Sequence, residues 1–173
     1  MWRVSRVRDD SGANRPLGPS APDVANPGPV RPPAVYLGSI VLGLLLHLVR
    51  PARLLPHPVH TPIGVVVTLL AVALFVSAVR AFRAAGTPVP GNRPATTIVH
   101  TGPYRFSRNP IYLAFSLFQL GLALWINSLA LLIMLIPPVA LLSLVVIQRE
   151  ERYLETRFPS EYSAYKASVR RWV

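Results

Sequence analysis

Residues 111–147 read IYLAFSLFQLGLALWINSLALLIMLIPPVALLSLVVI, 37 positions without a charged side chain. A single α-helix of that length would extend about 55 Å at about 1.5 Å per residue, against a hydrocarbon core of about 30 Å. The stretch therefore folds back on itself. Asn127-Ser128 is the natural place for the reversal, because such a polar pair is good at turns and N-caps. The reading is a pair of helices over residues 111–126 and 128–147. The second is expected to kink at Pro137-Pro138, where two backbone donors are lost.

Two further apolar spans precede this pair, residues 34–49 (AVYLGSIVLGLLLHLV) and 63–82 (IGVVVTLLAVALFVSAVRAF). The first and third spans are short for a full crossing, which requires local thinning or tilted partners. The predicted fold is all-α: a multi-pass membrane helical bundle of about four transmembrane helices, with a cytosolic C-terminal amphipathic helix. Composition agrees, with 51% of the 173 residues hydrophobic and 14% charged, where soluble domains carry roughly 25% charged residues. The acidic side chains are confined to Asp9, Asp10 and Asp23 near one terminus and Glu150, Glu151, Glu155 and Glu161 near the other. A chain buried in hydrocarbon avoids them between, since a charge at mid-bilayer costs roughly 2.5–3.5 kcal/mol on insertion scales. With no cysteine, disulfides, thiolate nucleophiles and cysteine-based metal sites are excluded.

The net charge of +11 has a topological meaning. Five arginines lie in the N-terminal segment, five in residues 80–110, and six basic residues follow Gln148. Only Arg50 and Arg53 lie in the first connection, and the Asn127 turn has none. Four crossings thus put sixteen of eighteen basic residues on one side, which the positive-inside rule assigns to the cytoplasm along with both termini. A bacterial plasma membrane is the expected location, and no nucleic-acid partner is needed to explain the charge. Residues 1–33, rich in Arg, Pro, Gly, Ala and Ser, read as a disordered cytosolic tail without the apolar core of a signal peptide. Residues 34–173 form the membrane domain, of which 148–173 are a helical tail.

Chemistry concentrates in two places on that cytosolic side. The connection over residues 84–110 reads AAGTPVPGNRPATTIVHTGPYRFSRNP. Loops this long between helices are usually functional or disordered. Gly102-Pro103 makes a tight turn, and Pro110 suits the first turn of the third helix. Free N–H groups there, with Arg108, suit an anionic ligand group. Tyr104 and Tyr112 offer aromatic faces for a flat base or a sulfonium cation. The competing reading is an interfacial belt of Arg and Tyr anchoring helix ends. The second place is residues 148–172, where Glu150 stands at the mouth of the bundle, able to bond amino or hydroxyl groups of a ligand. A short helix starting at an N-cap Ser160 would align Tyr162, Tyr165, Val169 and Trp172 on one stripe, as in an interfacial amphipathic helix.

The pair T-G-P-Y-x-x-x-R-N-P-x-Y (Thr101 to Tyr112) and E-E-x-x-L-x-x-x-F-P-x-x-Y-x-x-Y-x-x-x-V-x-R-W (Glu150 to Trp172) resembles the membrane-embedded isoprenylcysteine carboxyl methyltransferases, which are similar to the phospholipid methyltransferases. The resemblance covers roughly residues 60–173. It implies an S-adenosyl-L-methionine cofactor bound on the cytosolic side, and a lipophilic, membrane-associated acceptor arriving from the bilayer. It also implies cofactor contacts at Tyr104, at Arg108, Asn109, Pro110, Ile111 and Tyr112 on the family's R-H-P-x-Y, at Thr96, Thr97, Ile98 and Val99 before the turn, and at Glu150. Two departures stand out. Asn109 replaces the commoner histidine and cannot carry a proton. Val146 stands where the family often has an arginine linked with a substrate carboxylate.

Methyl transfer by in-line displacement needs alignment and exclusion of water rather than a covalent nucleophile. No catalytic residue is therefore assigned; His100 is the nearest candidate base. His57 and His60, without a carboxylate partner, make a poor metal site, so no metal is expected. Two other readings are a non-catalytic membrane scaffold and a sterol-reductase-like NADPH enzyme.

Overall fold

The computed structural model describes residues 6–8, 14–16, 30–56, 58–89 and 94–173. Helix α1 spans Pro32–Val49, α2 His60–Ala84 and α3 Pro110–Trp125. Next come α4 (Leu129–Ile133) and α5 (Ile136–Leu141). A π-helical turn at Leu142–Val146 then leads into α6, Ile147–Arg157, and α7 covers Pro159–Ser168. Within the segment expected to be a disordered tail, β1 (Arg6–Arg8) pairs antiparallel with β2 (Asn14–Pro16); residues 1–5, 9–13 and 17–29 lie outside the described residues. Apart from that ribbon the described chain is helical, as predicted.

Among the described residues, three units are long and apolar enough to cross a membrane: Pro32–Val49, His60–Ala84 and Leu129–Arg157, of 18, 25 and 29 residues. Helix α3 is shorter, at 16 residues, or about 24 Å at about 1.5 Å per residue. It nonetheless runs antiparallel along α2 from one end of the bundle to the other. Gly64 near the start of α2 meets Trp125 at the end of α3, while Phe82 near the end of α2 packs with Tyr104 and Ile111. Both α1 and α2 extend beyond their predicted starts. Pro32 and Pro33 occupy the first turn of α1, and Pro62 the first turn of α2, where a missing N–H does no harm.

The α2–α3 interface is built from small residues. Gly64, Thr68, Ala71, Ala78 and Ala81 are buried on α2, and Ala114, Gly121 and Ala123 on α3. In lipid no hydrophobic force drives helices together, so association depends on close approach. A Cβ on Gly64 would collide with the Trp125 backbone, and one on Gly121 with Thr68. The large side chains point the other way: Leu37, Leu45, Leu69 and Leu70 are exposed, forming a belt for acyl chains.

The expected reversal is present. Helix α3 ends at Trp125, Asn127 takes the left-handed conformation with φ 58°, and Ser128 Oγ caps α4 by accepting from Leu131 N at 3.2 Å. Asn127 also reaches the first connection. Its Oδ1 accepts from Leu54 N (2.8 Å) and Leu55 N (2.9 Å), and its Nδ2 donates to Leu55 O (2.8 Å). Leu129 N adds a bond to Ala52 O. These contacts fasten the α1–α2 connection to the α3–α4 turn.

The single kinked helix expected over residues 128–147 is instead an interrupted one. Helix α4 stops at Ile133, and α5 restarts at Ile136 with Pro137 and Pro138 in its first turn. In an unbroken helix Met134 O would accept from residue 138, which as proline has no N–H. Ser39 Oγ donates to that carbonyl instead. Gln119 Nε2, fully buried, donates to Ser39 Oγ at 2.9 Å and to Leu131 O at 3.3 Å. The tail helix also differs from expectation: α7 begins with Pro159 at its first position rather than at a Ser160 cap.

Candidate active site

A cavity of about 300 Å³ opens where α2 ends and α3 begins, with α6 and α7 closing its far side. That volume lies at the lower end of the range that holds small-molecule ligands, roughly 300–1,000 Å³. The two constellations read from the sequence meet in it. Thr97, Ile98, Val99, Tyr104, Arg108, Asn109, Ile111, Tyr112 and Glu150 all line it. Thr96, Pro110 and His100 do not. Thr96 is exposed, with its N–H bonded to Thr87 Oγ1 at 3.1 Å; Pro110 is buried in the first turn of α3; His100 faces solvent. His57 lies outside the described residues, and His60 Nδ1 sits 3.3 Å from Trp125 O, at the opposite end of α2 from the cavity.

Local sequence explains the placement of each polar group. Gly102 takes φ 59°, which reverses the chain into a 3₁₀ turn at Gly102–Arg105 and drops Tyr104 into the interior. The Tyr104 ring meets Phe82 edge to face at 5.1 Å, and its carbonyl accepts from Tyr165 OH at 2.8 Å. Burial pushes the Tyr104 hydroxyl well above the usual tyrosine range, with Tyr165 and Glu150 adding to the effect. It is therefore a neutral group. Tyr112, one turn into α3, donates to Glu150 Oε1 at 2.6 Å. The phenol thereby satisfies one oxygen of a carboxylate that is only 7% exposed.

Arg108 enters the cavity just before α3. Its guanidinium pairs with Glu151 at 3.1 Å, and its buried Nε has no hydrogen-bond partner among the described residues. A buried donor without an acceptor carries a desolvation penalty of about 1–3 kcal/mol, so an anionic or carbonyl oxygen brought by a ligand is favoured there. Asn109 holds its position through the tail, its Nδ2 donating to Arg171 O at 3.0 Å. The chemistry the site offers is thus one carboxyl group held by a phenol, two Arg108 nitrogens without a hydrogen bond among the described residues (Nε, and Nη1, which has only its ion-pair contact with Glu151), and aromatic faces at Tyr104 and Phe82.

Several lining groups were not singled out from the sequence. Phe75, Val79, Phe82 and Phe115 supply apolar walls, and Pro33, assigned to the tail, forms part of the rim. The aromatic stripe of α7 turns inward rather than toward headgroups. Tyr162 is buried and lines the cavity with Tyr165, and burial pushes the Tyr162 hydroxyl up to about 12, with Glu151 raising it further. Trp172 lies beyond the end of α7 and packs against the cluster of Tyr36, Tyr112 and Ile147. Glu151 is as buried as Glu150. A signal for it was present: a second buried carboxylate at a bilayer surface needs a paired cation.

The phospholipid methyltransferase family model matches residues 59–161, which is more than half of the chain. An uncharacterized protein of Haemophilus influenzae is 44% identical over 64 residues, 36% of this chain and 100% of that protein. The cobalt-zinc-cadmium resistance protein CzcN of Cupriavidus metallidurans is 38% identical over 73 residues, 42% of this chain and 33% of that protein. The chain thus spans all of the first relative and a third of the second. No solved structure matches.

Proposed function

We propose that this chain, which belongs to the phospholipid methyltransferase family, transfers a methyl group from S-adenosylmethionine to a lipophilic acceptor at the membrane. The observation that carries the reading is that Tyr104 and Glu150, from separate parts of the sequence, line one cavity at one end of the bundle. S-adenosylmethionine, when bound, supplies an electrophilic methyl on a sulfonium sulfur. The residues present suit such a molecule. Glu150 accepts from amino or hydroxyl groups, the unsatisfied Nε of Arg108 donates to a carboxylate, and Tyr104 and Phe82 offer ring faces to a base or a sulfonium. Neutral tyrosines and apolar walls keep water away from the reacting atoms.

The acceptor reaches the cavity on its apolar side. Phe75 lines the cavity and is 37% exposed on the outer face of α2, beside the belt of aliphatic side chains. A lipid-soluble acceptor, whether a carboxylate or an amine, can pass there without crossing water. The basic residues Arg80, Arg83, Arg105 and Arg149 share the cavity end, which we assign to the cytoplasm. Two experiments test the reading. Calorimetric titration of the protein in lipid nanodiscs with S-adenosylhomocysteine is expected to give saturable binding, and no heat of binding counts against the assignment. Transfer of labelled methyl groups into a lipid extract identifies the acceptor class from the labelled product.

A further inference from the structure

Glu151 neighbours Glu150 on α6 but is engaged quite differently. Its Oε1 faces Arg108 Nη1 at 3.1 Å and accepts from Arg171 Nε at 3.1 Å, while Oε2 accepts from Arg171 Nη2 at 2.7 Å. The Arg171 pair is bidentate, the strongest geometry for a guanidinium and a carboxylate. Both partners of the Arg108 pair are nearly buried, with side chains 10% and 9% exposed.

Arg171 belongs to an extended segment that follows α7 and returns across the start of α3. Val169 leaves the helix with φ −127° and ψ 133°. Arg170 O then accepts from Arg108 N at 3.0 Å, and Arg171 O accepts from Asn109 Nδ2 at 3.0 Å and Ser107 Oγ at 3.4 Å. Trp172 finishes the run against Tyr36 and Tyr112. The residues just before α3, two of which line the cavity, are thus held by a strap from the far end of the chain.

We propose that Glu151 is a positioning residue that clips this strap in place, fixing Arg108 and Asn109 in the cavity wall and closing the cavity around its ligand. Glu151 itself borders the cavity, but both of its carboxylate oxygens are taken by guanidinium groups, so it acts on the ligand through Arg108 and the strap. Without it, Arg108 and Arg171 face each other across the site and repel. The inference rests on the methyl-donor reading of the cavity, but its structural half stands apart from that reading.

The test compares full-length wild type, Glu151→Gln, Arg171→Ala and Arg171→Lys in lipid nanodiscs. Hydrogen exchange reads the strap, and S-adenosylhomocysteine affinity reads the site. Glu151→Gln and Arg171→Ala are expected to speed exchange over residues 107–109 and 169–173 by about tenfold or more, the scale of a lost charge-assisted bond. Exchange in the α2–α3 core stays unchanged, and affinity falls by about tenfold. Arg171→Lys, which keeps the charge but not the two-pronged bond, falls between wild type and Arg171→Ala in both readouts. Unaltered exchange in the two disruptive variants overturns the clip. Faster exchange with unaltered affinity overturns its role in ligand binding. Should Glu151→Gln fail to assemble, Arg171→Ala, which leaves the Arg108 pair intact, carries the same readouts. If wild type binds no S-adenosylhomocysteine, the methyl-donor reading and the ligand half fall together, while the exchange data still decide the clip.

Discussion

Tyr112 and Glu150, 38 positions apart, share a 2.6 Å hydrogen bond that joins α3 to α6 at the wall of the cavity. The phenol donates and the carboxyl oxygen accepts, inside a wall where an unmade hydrogen bond would leave a buried polar group unsatisfied. The bond sets where Glu150 points.

Removing the donor alone therefore reads the value of that orientation. Tyr112→Phe keeps the ring that packs with Tyr36 and Val146, and is expected to weaken S-adenosylhomocysteine binding by about tenfold. Glu150→Ala and Tyr104→Ala are expected to weaken it as well. Isothermal titration in nanodiscs measures all three, and unchanged affinity across the set would detach these residues from ligand binding.

Asn127 joins two connections through three side-chain hydrogen bonds while holding φ 58°. Asn127→Ala loses the bonds and adds the strain of a left-handed alanine, so a loss of about 2–4 kcal/mol is expected. Asn127→Gly loses the bonds but tolerates the conformation, and should be less damaging. Reversible unfolding in mixed micelles separates the two contributions.

Close approach makes a sharper contrast on the helices. Gly64→Leu drives a side chain into the Trp125 backbone, and a loss of at least about 2 kcal/mol is expected. At Gly38 a Cβ meets nothing within 4 Å, and Gly38→Ala should change stability by no more than about 0.5 kcal/mol. Thermal unfolding of both variants in one detergent gives the comparison.

The Lys166–Glu155 pair is the counter-example to Glu151. It is short, at 2.5 Å, but its side chains are 42% and 41% exposed. Exposed pairs contribute little. Lys166→Ala is expected to leave stability within about 0.5 kcal/mol and ligand affinity unchanged, whereas Arg171→Ala lowers affinity.

What could be read from the chain follows from how local the causes are. The reversal at Asn127-Ser128 depends on the left-handed conformation that asparagine tolerates and on Ser128 capping Leu131 N, both local causes, so it was legible. So was the Gly102-Pro103 turn that carries Tyr104. The walls of the cavity were not. Around a water-soluble core, large apolar residues mark the inside; in a bilayer both environments are apolar, and here Leu69 faces out while Ala71 faces in. Phe75, Phe82 and Phe115 thus carry no periodic signal that separates cavity from lipid. Glu151 could be flagged as a charge needing a partner, but its two arginines lie 43 positions before and 20 after it. Only the folded chain brings them together. Of the stripe read on α7, Tyr162 and Tyr165 share the helix but face the cavity, because an aromatic row suits a headgroup layer and a binding pocket equally well, while Val169 and Trp172 fall past the helix end in the extended strap.

The interruptions between α4 and α6 have a mechanical consequence. Regular helical bonding fails twice within a dozen or so residues, once at the proline pair and again at the π-helical turn. The outer part of this unit is seated firmly, Leu131 lying against Gly43 of α1. The inner part bears both buried carboxylates and is joined to the outer part by a double knuckle instead of a stiff rod. Its placement is therefore set by side-chain packing and by the tail that crosses it more than by an unbroken ladder of backbone hydrogen bonds.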